Sequence, residues 1–173
     1  MSLLPRNQKI QMKNKEPITP RGAKLLREEI QRIKAQERPA VIKAITEARA
    51  HGDLKENAEY HAAKEKQGLI EARLRDLENL LADAHVIDHL TLKSESVTFG
   101  ATVTLEEIES GIEKKYQIVG KFEADVKKGR IPVSSPLAKS LIGKQVGEEV
   151  KVTVPKGIQE FEIKHIEYVE IDF

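Results

Sequence analysis

Two apolar stripes of matched length, set either side of a polar stretch, constrain this chain more than any other feature. Leu26, Ile30, Ile33, Val41, Ile45 and Ala48 recur at spacings of three, four or near seven. Ala63, Ile70, Leu74, Leu77, Leu81 and Ala84 repeat at seven, four, three, four and three. A strand would alternate with a period of two; these spacings describe the narrow seam of a coiled coil. Between the stripes runs Ala48 to Tyr60, which is polar and contains Gly52, the only glycine between Gly22 and Gly68. Two seams of similar length joined by a short glycine-containing turn bury each other by folding back. The sequence therefore predicts an antiparallel coiled-coil hairpin over residues 18–88 with its tip at 50–57. At about 1.5 Å per residue, each arm of roughly 30 residues reaches on the order of 45 Å. Such a hairpin has little core of its own; it suits reaching into something, or serving as a dimer surface.

The first arm has a defined start and a defined flaw. Thr19-Pro20 supplies a cap and a residue whose missing N–H costs nothing in the first turn. Glu37 falls where the seam asks for an apolar residue, and Pro39 lies inside the pattern. Proline removes an intrahelical bond, so a kink or local loosening is expected there.

Charge and composition narrow the function classes. Of 173 residues, 33% are charged and only 4% aromatic, with no Trp and no Cys. That suits helices with a thin seam, and it rules out a disulfide framework or a thiolate metal site. No 18-residue apolar run or apolar leader is present, so a cytoplasmic protein without membrane attachment is expected. The net charge of +1 hides a basic start: residues 1–24 carry six Lys or Arg against one acid. The remainder is mildly acidic, which disfavours a globally basic nucleic-acid binder. Residues 1–17 read as a polar, aperiodic extension of low order.

The second half changes period. Residues 89–98 read as a linker. From Phe99-Gly100 onward apolar residues alternate, giving strands at Ala101–Leu105, Tyr116–Val119, Glu149–Val154 and Gln159–Ile171, the last shifting phase at Ile166. Ile131-Pro132-Val133 reads as a short edge strand, and Ser135-Pro136 opens a brief helix ended by Gly143. The fold class is α+β with two domains, the hairpin followed by a small antiparallel β domain with a short helix over 99–173.

The tip concentrates the chemistry. Asp53 and Glu56 stand three residues apart where the second arm begins. Two carboxylates at that spacing can supply part of a Mg²⁺ shell, which usually needs further oxygens from phosphates or a partner. The same pair also reads as an N-cap with an acid at N3, close to a capping box. Spacing alone leaves both readings open, and one carboxylate can do both, since capping uses a single oxygen. His51 and His61 are on no obvious shared ligand face and read as solvated or turn-supporting residues. Tyr60 reads as packing across the hairpin mouth, with contact to a base as the alternative. No phosphate-binding glycine loop, Ser-His-Asp set or zinc pattern is visible.

The run Glu47-Ala-Arg-Ala-His-Gly-Asp-Leu-Lys-Glu-Asn-Ala-Glu-Tyr-His-Ala-Ala63 closely resembles the tip signature of the bacterial Gre transcript-cleavage factors, in their GreA form. The resemblance extends from about Ile18 to the C-terminus, through Val86-Ile87-Asp88, Phe99–Val103 and Ser135–Gly143. It implies an FKBP-like C-terminal domain that docks at the rim of the secondary channel of RNA polymerase, with the hairpin passing down to the active centre. There the tip acids, Asp53 and Glu56 by matching position, would help hold a Mg²⁺ shared with the polymerase. The polymerase would then hydrolyse the 3′ end of backtracked RNA. The factor itself is then not an enzyme, and no metal is expected on the free protein. Arg49, Lys55, Asn57, Glu59 and Tyr60 match the family tip and are expected to shape it. Ser134, Ser135 and Pro136 match a region implicated in polymerase docking, although a helix cap explains Ser135 equally well. Residues 63–66 alternate in sign, so GreA-like action on short backtracked ends is expected, by a monomer in the cytoplasm, nucleoid-associated through the polymerase.

Three other readings compete. A non-cleaving regulator of the same channel would alter the tip acids, and both stand here. A prolyl isomerase would need an aromatic pocket that four Phe, three Tyr and no Trp hardly supply. A plain coiled-coil scaffold leaves the tip unexplained.

Overall fold

The computed structural model describes residues 15–172 apart from 93 and 156. In chain order the elements are β1 (Glu16–Ile18), α1 (Pro20–Arg32), a π-helical turn (Ile33–Glu37), α2 (Arg38–Ala50), α3 (Ala58–Asp83) and β2 (Ala84–Val86). Then follow β3 (Thr102–Glu107), β4 (Glu113–Val119), β5 (Arg130–Pro132), α4 (Pro136–Leu141), β6 (Glu149–Val154) and β7 (Gly157–Glu167). They group into two compact units: Lys24–Asp83, and the residues up to Ala23 together with those from Ala84 onward.

The first unit is the helical hairpin. Burial on its arms falls on Leu26, Ile30, Ile33, Val41 and Ala48, and on Ile70 and Leu74. Ile45, Ala63, Leu77 and Leu81 from the expected stripes are half-buried. The expected loosening near Pro39 takes the form of the π turn, in which the Arg38 N–H bonds to Ile33 O, five residues back. Pro39 offers no N–H to the carbonyl four residues before it, and a wider turn relieves its ring of that carbonyl. The turn also keeps the seam in phase. Ile33 and Val41, both buried, are eight residues apart, one more than a heptad, and a π turn absorbs one extra residue.

Exposed charges lace the two arms together. Arg38 pairs with Glu71 at 2.7 Å, Lys34 with Glu78, and Arg73 with Glu29. Glu29 also takes two hydrogen bonds from Arg32, at 2.8 and 2.9 Å. The Arg32 hydrogen bond, with the charges of Arg32 and Arg73 behind it, holds the Glu29 carboxyl below its ordinary range despite partial desolvation. Exposed pairs of this sort contribute at most about 1 kcal/mol each, so they set register more than stability.

The second unit is built on a five-stranded sheet of order β5-β4-β3-β7-β6. Val103, Leu105, Ile118, Ile131, Val150, Val152, Phe161 and Ile163 form its core with Val97, Ala138 and Leu141, the last two contributed by α4. Burying each of the larger side chains stabilises the fold by about 1.5–3 kcal/mol. The expected phase shift in the last strand is a β-bulge. Thr104 faces His165 and Leu105 faces Ile163, so Lys164 is the unpaired residue.

The sheet is mixed where the sequence suggested antiparallel. β5 runs parallel to β4, because the chain makes an excursion through residues 120–129 before returning in the same sense. A second, two-stranded sheet pairs β1 parallel to β2, with Glu16 opposite Ala84 and Ile18 opposite Val86. The last residues of the expected N-terminal extension are therefore a strand; residues 1–14 lie outside the described residues. Within the expected linker, His89 and Val97 are buried.

Two polar clusters hold this unit together. The Glu123 carboxylate, 1% exposed, accepts from Thr19 N at 3.2 Å, from the Thr19 hydroxyl and from Gly120 N at 3.1 Å. A buried carboxylate is tolerable only with such a set of donors. Gly22 packs so closely on it that a Cβ there would stand 2.6 Å from Glu123 Cγ. The C-terminal tail is strapped by side chains that donate to its carbonyls: His89 Nε2 and Gln117 Nε2 to Val169 O at 2.8 and 3.1 Å, Arg21 to Ile171 O at 2.7 Å, and Arg130 to Asp172 O.

Candidate functional site: the hairpin tip

Helix α2 ends at Ala50, and the chain turns through His51 and Gly52. Gly52 has φ of 117°, a backbone region that side-chain-bearing residues seldom enter, so the only glycine of the stretch sits where the chain reverses. Residues 51–57 are non-helical, and α3 starts at Ala58.

The cap of α3 is Asn57, not Asp53. Tyr60 N donates to Asn57 Oδ1 at 2.9 Å, the bond of an N-cap to the third helical residue. Asp53 instead closes a local turn, accepting from Lys55 N through Oδ1 at 2.9 Å. Glu56 accordingly precedes the helix and does not occupy N3. Aspartate and asparagine cap about equally well. What favours Asn57 is its amide, which also donates to Ala48 O at 2.7 Å and so ties the start of α3 to the end of α2. An aspartate has no such donor.

The capping alternative therefore falls away for Asp53 and Glu56. Both side chains are exposed. Asp53 Oδ2 and both oxygens of Glu56 accept no hydrogen bond and enter no ion pair among the described residues. His51, Asp53, Glu56, Asn57, Ala58 and Glu59 line one shallow, open depression. Among the described residues no group of three or more His, Asp or Glu side chains converges as a metal site. The donors are hard oxygens of the kind Mg²⁺ takes, and there are too few of them to hold it unaided.

The remaining tip residues brace this turn. His51 Nδ1 lies 3.2 Å from Glu59 Oε2, and His61 Nε2 lies 3.1 Å from Lys55 O. Arg49 stands over the Tyr60 ring at 5.8 Å, and Tyr60 meets His61 edge to face. Tyr60 thus packs across the hairpin mouth, half-buried. The two His contacts were not legible in the sequence, because turn-bracing bonds between residues six and eight apart follow no fixed spacing. Ser134, Ser135 and Pro136 lie in the sheet unit. There Ser135 Oγ caps α4, accepting from Ala138 N at 3.1 Å, while Ser134 and Pro136 are exposed.

The family model described as "Transcription elongation factor, N-terminal" matches residues 16–86, and "Transcription elongation factor, GreA/GreB, C-term" matches residues 92–168. The chain belongs to the GreA/GreB transcription elongation factor family. It is 54% identical over 155 residues to the transcription elongation factor GreA of Phenylobacterium zucineum, covering 90% of this chain and 99% of that one. It is also 54% identical over 156 residues to GreA of Nitrosococcus oceani, with the same coverage. Among solved structures, GreA factor homolog 1 of Thermus thermophilus is 28% identical, covering 88% of this chain and 99% of that chain, at a TM-score of 0.42. No helix among the described residues is long and apolar enough to cross a membrane.

Proposed function

We propose that this elongation factor carries Asp53 and Glu56 down the secondary channel of RNA polymerase and lends them to the polymerase's hydrolysis of backtracked RNA at its 3′ end. One observation carries the reading: the two acids of the family tip are exposed, and Asp53 Oδ2 and both Glu56 oxygens are unengaged, on a turn that other residues tie to its helices. The hairpin positions them at the end of an arm whose second helix alone spans about 39 Å over 26 residues.

Asp53 Oδ2 and the Glu56 carboxylate would complete a Mg²⁺ shell together with polymerase carboxylates and RNA phosphate oxygens. When bound, such an ion lowers the pKa of its water and offsets charge on the leaving oxygen. The Lys55 N–H engages Oδ1 of the exposed Asp53 and leaves Oδ2 available. The sheet domain, FKBP-like in this reading, would dock at the channel rim near Ser134, Ser135 and Pro136, with the factor acting as a monomer in the cytoplasm, nucleoid-associated through the polymerase. The chain supplies ligands and orientation, and the polymerase supplies the reaction.

The test is RNA 3′ cleavage in a stalled, backtracked elongation complex. Asp53→Ala and Glu56→Ala should each lose stimulation while still competing for the polymerase. Wild-type cleavage by both variants would sink the assignment. Cleavage of RNA by the factor without polymerase would sink the shared site.

A further inference from the structure

We propose that Asn57 is a positioning residue for the two tip acids, acting through its amide bond to Ala48 O. The inference rests on the cleavage reading above. Of residues 52–57, Asn57 is the one bonded to both helices, donating to Ala48 O at 2.7 Å and accepting from Tyr60 N at 2.9 Å. Its side chain is part-buried, whereas the acids beside it are exposed.

Ala48 O is the anchor of the turn. It takes the Asn57 amide and also the His51 N–H at 3.2 Å, which occupies both of its lone pairs. The segment between these two attachments, residues 52–56, holds Asp53 and Glu56 and nothing else that bonds to α2. Its other attachment is Lys55 O, 3.1 Å from His61 Nε2 on α3. Without the amide bond, residues 52–56 would be tied to α2 only at their N-terminal end, through His51, while their far end followed α3 alone, and the acids would sample positions the polymerase site does not accept. A misplacement of about 1 Å at a reacting centre costs on the order of 100-fold in rate.

Asn57→Ser separates the two bonds. Serine caps a helix as well as asparagine does, so the bond from Tyr60 N is kept. Its hydroxyl is too short to reach Ala48 O, so the tie is lost. In the backtracked-complex assay the maximal cleavage rate at saturating factor should fall about 10-fold or more. The factor concentration for half-maximal effect should stay at the wild-type value, and the Mg²⁺ concentration needed for half-maximal rate should rise several-fold. Hydrogen exchange should show Tyr60 N still protected and the amides of residues 52–56 exchanging faster.

A wild-type maximal rate in Asn57→Ser would overturn the proposal. So would a fall in rate matched by an equal fall in polymerase affinity, since that marks a residue serving only hairpin integrity. Asp53→Ala and Glu56→Ala belong in the same experiment. If they too cleave normally, the cleavage reading itself has failed; if only Asn57→Ser does, the positioning role alone has failed.

Discussion

Replacing glycine by alanine inside a helix ordinarily stabilises it by about 1 kcal/mol, because glycine loses more backbone freedom on folding. Two helical glycines of this chain should give opposite signs. Gly68, within α3, is exposed, and a Cβ there meets nothing within 4 Å. Gly68→Ala should therefore stabilise the hairpin by about 0.5–1 kcal/mol. Gly22, in the first turn of α1, faces the buried Glu123 carboxylate, and its Cβ would overlap Oε1 and Cδ and stand 2.6 Å from Cγ. The end of a glutamate side chain would normally swing aside. Here it is fixed by Thr19 N, the Thr19 hydroxyl and Gly120 N. Displacing it breaks at least one charge-assisted bond in a buried site, at about 1.5–3 kcal/mol, and overpacking adds about 1–3 kcal/mol. After subtracting the helix gain of about 1 kcal/mol, Gly22→Ala should cost about 1.5–5 kcal/mol. Hydrogen exchange resolves the two units separately, which a single melting curve would not. Amides of β1, β2 and residues 120–123 should exchange about tenfold faster or more in Gly22→Ala, since about 1.4 kcal/mol is tenfold. Amides of α3 should exchange a few-fold slower in Gly68→Ala. Unchanged or slower exchange in Gly22→Ala would refute the claim that Glu123 is immobile.

Two further outcomes follow from the same contacts. Because the Glu29 carboxyl is held below its ordinary range, its contribution to the hairpin is present above pH about 4.5 and is lost as pH falls through the lowered value. Thermal melts of the hairpin should show that acid-side loss in the wild type and a shallower one in Glu29→Gln. Arg130 is 7% exposed; its Nε donates to Glu123 O at 2.9 Å and its Nη1 to Asp172 O. Arg130→Ala should destabilise the sheet unit by about 3 kcal/mol and speed exchange of residues 169–172 first, as read by peptide-level mass spectrometry.

Long periodic features were legible in the sequence. The two seams announced the hairpin because six apolar positions repeat in each arm, and Pro39 marked where the first arm departs from regular winding. The alternation of β3, β6 and β7 was equally plain, and the phase change in the last strand betrayed a bulge two residues before Ile166. Short elements were only partly legible: the edge strand at Ile131-Pro132-Val133 is β5 and the brief helix opened by Ser135-Pro136 is α4. Strands of three residues, such as β1, β2 and β5, carry no measurable period, so their parallel pairing could not be foreseen. Glu123 reads as one more surface acid until Thr19, 104 residues away, is brought beside it. At the tip, the acids were visible as a pair, but the choice of cap was not. Asp53 and Asn57 are both good caps, and only the folded hairpin places Ala48 O within reach of an amide.

The strapped tail constrains how this chain can vary. The four bonds that strap residues 169–172 each run from a side chain elsewhere to a backbone carbonyl of the tail. Every residue type has that carbonyl, so the tail's identity is free to drift at its exposed positions, Val169, Glu170 and Asp172, while Ile171, 1% exposed, stays apolar. Its length is not free. Inserting or removing one residue before Val169 would shift the carbonyls out of step with His89, Gln117, Arg21 and Arg130 together. Selection on this end of the protein should thus act on spacing rather than on composition.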